Sequence, residues 1–423
     1  MIAWPAPTVP DLPRQAGRTV SVHDTATDAL RPVATQRDTA GVYVCGITPY
    51  DATHLGHAAT YLMVDLLVRT LRDSGREVTF VQNVTDVDDP LIERARRDGL
   101  DWRDLATREI QLFRDDMEAL RVIPPQHYVG VVESVELIAA DVAELLASGA
   151  AYRIGTAESD GEGADDVYLD LQQRDDFGRT SRFTHADMDE VFADRGGDPD
   201  REGKRTRFDP LLWRAARDGE PAWEVDGLPQ GRPGWHIECS AIAAAHLGER
   251  FDVQAGGTDL VFPHHEMSAV QAAALHGDGA FADAYLHQAM VALDGEKMSK
   301  SKGNLVLVSK LRREGVDPAA IRLAVLAHHY ATPWEWTDEV LDEAKTRLGR
   351  WREAAVTPAA GGPECGAVGT GLLARMRGCL DDDLDGPGAI AHVDRWIEAG
   401  ADAGELGGAA LADIVDATLG VQL

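Results

Sequence analysis

Lysine is nearly missing from this chain. Of its 41 basic residues only six are lysine: Lys204, Lys297, Lys300, Lys302, Lys310 and Lys345. Basic residues of both kinds are outnumbered by 71 aspartates and glutamates, which leaves a formal net charge of −30. That deficit excludes a surface positive overall, and with it broad binding to nucleic acid or a polybasic membrane contact. A local basic pocket remains allowed. No apolar run reaches the ~18 residues of a membrane span. The opening stretch MIAWPAPTVPDLPRQAG has neither a basic start nor an apolar core, so no secretory signal is expected. Four cysteines are too few for a disulfide framework, and each is read as core filler, metal ligand or nucleophile. These shortages together point to the cytoplasm.

Apolar residues make up 44% of the 423, enough for a sizeable core, and the length predicts two or three domains. Residues 1–40 read as a Pro-rich irregular arm with one short strand. GVYVCG (41–46) reads as a buried strand, HLGHAATYLMVDLLVRTLRDSG (54–75) as a helix stopped by Gly75, and EVTFVQNVTD (77–86) as the next strand. This β-α-β unit predicts a parallel sheet with its ligand crevice at the carboxyl ends of the strands. Two amphipathic helices follow, at 104–120 and 132–148. Acidic and Gly-rich stretches then suggest an insertion. The pattern resumes with a helix at 235–248, a strand at 251–257, a helix at 263–277 opened by Pro263, and a strand YLHQAMVAL at 285–293. Beyond 310 the periodicity is helical throughout. The expected architecture is α/β: a Rossmann-like parallel sheet (1–120 and 235–310) split by an inserted connective region (121–234), with a helical C-terminal domain (311–423).

Chemistry concentrates in a few places. His54 and His57 lie in HLGH, after a strand end and at a helix start, where backbone N–H groups and the helix dipole suit phosphate. GEKMSKSKGN (295–304) holds three of the six lysines within six positions. An otherwise arginine-based chain keeps there the compact cation that suits phosphate oxygens. Such a loop can neutralise charge as pyrophosphate leaves. Cys45, Cys239 and His264 are far apart in sequence, but each lies where a predicted element meets the crevice. Two thiols and an imidazole make a plausible zinc set with one position open to a substrate or water. Cys365 and Cys379, in the C-terminal helices, are read as core filler.

HLGH near the start and KMSKS near the end of the core resemble the class I aminoacyl-tRNA synthetases. CGITPYDATHLGHAATY, NVTDVDD, PGWHIECSAIA, GGTDLVFPHHE and EKMSKSKGN resemble the cysteinyl-tRNA synthetases along almost all of 41–310. The resemblance implies ATP-dependent activation of L-cysteine, with roles for His54, His57, Lys297 and Lys300 at the phosphates and one Zn²⁺ selecting the thiol. It implies a cysteinyl-adenylate site of Cys45, Gly46, Ile47, Thr48, Thr60, Asn83, Val84, Thr85, Trp235, Gly257, Thr258, Asp259 and Val291. Mg²⁺ is expected with the triphosphate.

Three departures stand out. The family's pattern after FPHH is Glu-Asn-Glu, whose second Glu is the fourth zinc ligand; here that position is Ser268. Ile47, Pro49, Ala52, Thr53 and Ala59 replace the family's residues around the first motif. Residues 341–423 carry seven Lys/Arg against fourteen Asp/Glu, unfit for an anticodon stem. All three resemble an offshoot of the family, the cysteine ligases of mycothiol biosynthesis, as does RGGDP (195–199), a candidate for shaping the acceptor pocket. That resemblance implies glucosaminyl-inositol as acceptor; the acidic balance leads to the expectation of no tRNA, and a monomer is expected. A true cysteinyl-tRNA synthetase and a non-catalytic synthetase-like binding module are the alternatives.

Overall fold

The computed structural model describes residues 1–13, 15, 17–34, 37–156, 164–293, 295–298, 304–356, 366–399 and 408–423. The N-terminal arm is more ordered than its composition predicts. It forms an antiparallel hairpin of β1 (Ser21–Asp24) and β2 (Ala29–Pro32), with a turn tied together by Asp24, whose carboxylate accepts from the amides of Ala26 and Thr27.

The chain then runs through β3 (Thr39–Val44), α1 (Leu55–Asp73), β4 (Glu77–Val84), α2 (Asp89–Asp98), α3 (Trp102–Ala119) and β5 (His127–Gly130). Helix α4 (Val135–Ala147) leads into an antiparallel sheet of β6 (Ala151–Gly155), β7 (Asp165–Leu169), β8 (Leu211–Ala215) and β9 (Gly231–Pro233), with α5 (His185–Phe192) between β7 and β8. The core resumes with α6 (Trp235–Leu247), β10 (Arg250–Gly257), α7 (Glu266–His276) and β11 (Phe281–Gln288). Strands β12 (Val291–Leu293), β13 (Glu296–Lys297) and β14 (Trp334–Glu335) form a small sheet, with α8 (Val308–Arg313) and α9 (Pro318–Leu326) between the last two. Helices α10 (Asp338–Val356), α11 (Gly366–Asp381), α12 (Gly386–Glu398) and α13 (Gly408–Leu419) complete it.

The central sheet is parallel throughout, in the order β11–β10–β3–β4–β5. Strand order reverses between β3 and β10, and the carboxyl ends of strands at such a switch point leave a crevice for ligands. The β-α-β reading is therefore right in kind. The parallel sheet continues through β5, past residue 120 where the insertion was expected to begin. HYVG is too short to show a strand period, and its pairing to β4 is a tertiary fact. YLHQAMVAL is two strands in two sheets, broken at Ala289–Met290. The helix expected from Pro263 is split: an irregular wide turn over Val261–His265, broken at the extended Phe262, leads into the regular α7 at Glu266.

Helix α1 is enclosed on nearly all sides, between the sheet and the C-terminal helices. Fifteen of its residues, from Leu55 to Leu71, are buried. An enclosed helix needs no polar face, which explains its continuous apolar run. Inside that contact Asp65 pairs with Arg69 (2.7 Å) and with Arg322 of α9. Burial opposes the charge on Asp65, but the two guanidiniums and the Ile123 amide hold its carboxyl below the usual range. Helix α9 is thus joined to the helix that begins with HLGH.

Candidate active site

The carboxyl end of β3 fixes the first part of the site. Gly46 is there because a Cβ would lie 1.6 Å from the Asn83 carbonyl oxygen. Its amide donates to Asn83 Oδ1 (2.8 Å), Asn83 Nδ2 donates to Thr85 Oγ1 (3.2 Å), and the Thr85 amide donates to the Ile47 carbonyl (3.1 Å). The side chains of Asn83 and Thr85, each 1% exposed, hold the ends of β3 and β4 together. Val84 is wholly buried in the core. The Thr48 carbonyl accepts from the Tyr50 amide, closing a tight turn before α1.

His54 caps α1. Its Nδ1 accepts from the amides of Gly56 (3.1 Å) and His57 (3.4 Å), and its ring stacks on His57 with centroids 3.8 Å apart. A ring that accepts at Nδ1 carries its proton at Nε2 when neutral. This corrects the expectation of free helix N–H groups for phosphate. The Leu55 amide is also used, by the Val306 carbonyl (2.9 Å), so the first three amides of α1 have partners within the chain. The imidazoles, not the helix amides, are what this end presents.

His54, His57 and Thr60 line one cavity with Gly257, Asp259 and Val291. Six of the residues expected at the nucleotide are thus brought together. Gln288, Ala289, Met290 and Met298 also line it and were missed. Their signal was faint: they flank the strand break at Ala289–Met290 or sit inside KMSKS. The loop itself begins as structure, since Lys297 pairs with Ala292 across β12 and β13. Lys300 and Lys302 lie outside the described residues. The chain beyond the loop is pinned beside HLGH, where the Val308 amide donates to the Thr53 carbonyl (3.1 Å).

The thiol end lies deeper. The ligand atoms of Cys45, Cys239 and His264 all fall within 4.8 Å of one another. Cys45 comes from the end of β3, Cys239 from α6, and His264 from the irregular segment before α7. Their exposures are 6%, 1% and 1%. His264 Nε2 lies 3.2 Å from Cys239 Sγ, while its Nδ1 meets His236 Nδ1 at 3.0 Å. Trp235 stacks on the His264 ring, with centroids 4.4 Å apart. Burial, reinforced by Cys45, pushes the Cys239 thiol well up, and burial holds His264 neutral. Two sulfurs and an imidazole nitrogen thus converge in one buried pocket. The donor set therefore fits a soft divalent metal. Ser268 is turned away: its hydroxyl contacts the carbonyls of His264 (2.8 Å) and His236 (3.2 Å), so it does not take the place of a fourth ligand.

Behind the cluster runs a row of imidazoles the sequence reading did not single out. Cys45 Sγ is 3.2 Å from His265 Nε2, His265 Nδ1 is 2.7 Å from His287 Nε2, and His287 Nδ1 is 2.7 Å from Thr25 Oγ1. Burial holds His287 and His236 down to about 3, so these rings are neutral. Such partners fix the direction of the sulfur and the ring tautomers. His265 was legible only as the neighbour of His264.

Residues 32–346 match the family described as "tRNA synthetases class I (C) catalytic domain". The chain is 58% identical to an L-cysteine:1D-myo-inositol 2-amino-2-deoxy-alpha-D-glucopyranoside ligase of Kytococcus sedentarius and 56% identical to the protein of that name in Streptomyces scabiei, with both chains covered in full in each case. Among solved structures it resembles a Mycobacterium tuberculosis methionyl-tRNA synthetase bound by methionyl-adenylate (TM-score 0.61, 14% identity, 90% of this chain and 92% of that one). It also resembles a putative arginyl-tRNA synthetase of Campylobacter jejuni (TM-score 0.55, 13% identity, 90% and 93%). At these identities the structural likeness establishes the fold.

Proposed function

The chain belongs to the family of the L-cysteine:1D-myo-inositol 2-amino-2-deoxy-alpha-D-glucopyranoside ligases, within the class I tRNA synthetases, and from that premise we propose that it joins cysteine to the amine of glucosaminyl-inositol at the expense of ATP, in mycothiol biosynthesis. The observation that carries the reading is the meeting, at one switch point of the sheet, of a Cys-Cys-His cluster with a cavity lined by His54, His57 and Asp259. A thiol-selecting centre and a nucleotide cavity in one crevice suit activation of cysteine by adenylation.

In the first step a cysteine carboxylate oxygen bonds to the α-phosphorus of ATP, and the bond to the bridging oxygen breaks to release pyrophosphate. In the second, the acceptor nitrogen bonds to the cysteinyl carbonyl carbon, loses a proton, and AMP leaves. His54 and His57 donate to phosphate oxygens, and Lys297 and Lys300 meet the charge that develops on the departing pyrophosphate. Asp259 accepts from the ribose hydroxyls, and Trp235 walls the cysteine pocket. Zinc is the ion we assign to Cys45, Cys239 and His264, and when bound it supplies a soft centre for the substrate thiolate that serine cannot match. Magnesium accompanies the triphosphate. The reading includes a monomer acting in the cytoplasm; no described helix is long and apolar enough to cross a membrane.

The C-terminal domain argues against a tRNA acceptor. Lys345, Arg347, Arg350, Arg352 and Arg377 each pair with a carboxylate, which leaves little positive charge for a phosphate backbone. The test offers cysteine, ATP and each acceptor at low salt and follows AMP release and labelled product. Amide formation with glucosaminyl-inositol alone is expected. Cysteinyl-tRNA at a comparable rate would restore the synthetase reading, and absence of cysteine-dependent ATP–pyrophosphate exchange would leave a binding module.

A further inference from the structure

Residues 258–266 bear two separate functions within a few positions, Asp259 on the nucleotide cavity and His264 on the metal cluster. The segment is not a regular helix, because Phe262 is extended (φ −139, ψ 135) between helical turns. A kink of this kind leaves backbone carbonyls without their helical donors, and those groups need partners when buried. The insertion supplies them. Arg195 Nη1 donates to the Asp259 carbonyl (3.0 Å) and to the Phe262 carbonyl (2.6 Å). On the other side of the kink, the Glu266 carboxylate accepts from the amides of Gly178 (2.8 Å) and Ser181 (2.6 Å), both also in the insertion.

Arg195 is itself held by the rest of the RGGDP turn. Gly196 adopts φ +86, and a Cβ on Gly197 would lie 2.6 Å from the Phe192 ring. Asp198 accepts from the Tyr168 hydroxyl (2.5 Å) and from Lys204 Nζ (2.7 Å), and that lysine side chain is 2% exposed. Every residue from Arg195 to Asp198 is thus committed to the turn or to the reach of the arginine. Lys204, one of the few lysines kept, serves this anchor.

We propose that Arg195 is a positioning residue for the first half-reaction: by bridging the Asp259 and Phe262 carbonyls it sets the distance between the ribose contact and the metal ligand, and so aligns the cysteine carboxylate with the α-phosphorus of ATP. This rests on the cysteine-activating reading above and changes the expectation that RGGDP shapes the acceptor pocket. Each ligand keeps its own contacts when the bridge is lost, so binding survives while alignment suffers, and a misplacement of about 1 Å can lower a rate roughly 100-fold.

The test compares the full chain with Arg195→Ala and Arg195→Lys. In cysteine-dependent ATP–pyrophosphate exchange, Arg195→Ala should lower kcat by roughly 10- to 100-fold with KM for ATP and cysteine within about threefold. Added ethylguanidine should recover part of the loss, and Arg195→Lys should fall between. Hydrogen exchange of the metal-free chain should rise at the amides of 258–262 and 264–266 in Arg195→Ala while β3, β4 and α1 are unchanged. Unchanged kcat, a defect confined to KM for glucosaminyl-inositol, or exchange that rises throughout the chain would each overturn the proposal. Failure of the wild-type chain to exchange pyrophosphate would instead sink the functional reading, and the hydrogen-exchange comparison would still decide whether Arg195 holds the segment.

Discussion

The two ends of the crevice are built differently. At the thiol end, Cys45, Cys239 and His264 are no more than 6% exposed, and neutral imidazoles stand behind Cys45 and His264. At the phosphate end, His54 and His57 are half-buried, and the lysines are carried on a stretch that begins as a two-residue strand. The needs are opposed. Telling a thiol from a hydroxyl requires fixed soft donors in a dry pocket. Charge that develops as pyrophosphate departs is met by groups that must also release the product.

The sharpest way to break this contrast is at the thiol end. Cys239→Ala removes one of the three ligands proposed for the metal, so metal content and cysteine-dependent exchange should fall together, by more than the roughly 100-fold expected when only a residue behind a ligand is lost. Metal analysis alongside the exchange assay checks this. Retained metal with lost activity would mean that Cys239 does not hold the ion.

Lys300→Ala probes the other end and should act on rate alone. A loss of roughly 2–4 kcal/mol in the barrier to adenylate formation is the scale for removing one such donor. Pre-steady-state kinetics should show slower adenylate formation with cysteine affinity unchanged. Weaker cysteine binding at an unchanged rate would erase the division of labour between the ends.

The smallest effect is expected at Asp86, which follows β4 directly after Thr85, the residue whose amide donates to the Ile47 carbonyl. Burial pushes its carboxyl up to about 6, against the Val132 amide that donates to it at 2.9 Å. A carboxyl with a folded pKa above its unfolded value binds its proton more readily in the native state. The native state therefore gains stability as pH falls from about 6 toward 4 and has lost that gain by neutral pH. Asp86→Asn keeps an acceptor for Val132 and removes the titration. In urea unfolding its stability relative to wild type should be higher at neutral pH than near pH 4.5 by on the order of 2 kcal/mol. An equal difference at both would show that burial does not raise the Asp86 carboxyl.

Much of the site was legible because the key residues sit in short motifs at strand ends, where the β-α-β pattern says ligands bind. HLGH follows β3, Asn83–Thr85 closes β4, and Gly257–Asp259 closes β10. The illegible parts depend on long-range pairing. β5 is four residues with no visible period, and its neighbour is β4. Gln288 and Met290 line the cavity only because β11 and β12 part company between them. The helix amides next to His54 were expected to be open, yet the ring that caps them is the histidine expected to serve the phosphates.

By itself the sequence determined the donor types, their order along the chain, and the acidic balance that disfavours a polyanionic acceptor, because composition and local motif are properties of the chain. Only the tertiary structure decided that Cys45, Cys239 and His264 face one another, since no local period links residues brought together from β3, α6 and the kinked segment before α7. It also decided that Ser268 turns to backbone carbonyls and that Arg195 reaches across from the insertion to satisfy that kink. Buried backbone groups must find donors, and which side chain supplies them is fixed by the packing of elements distant in sequence.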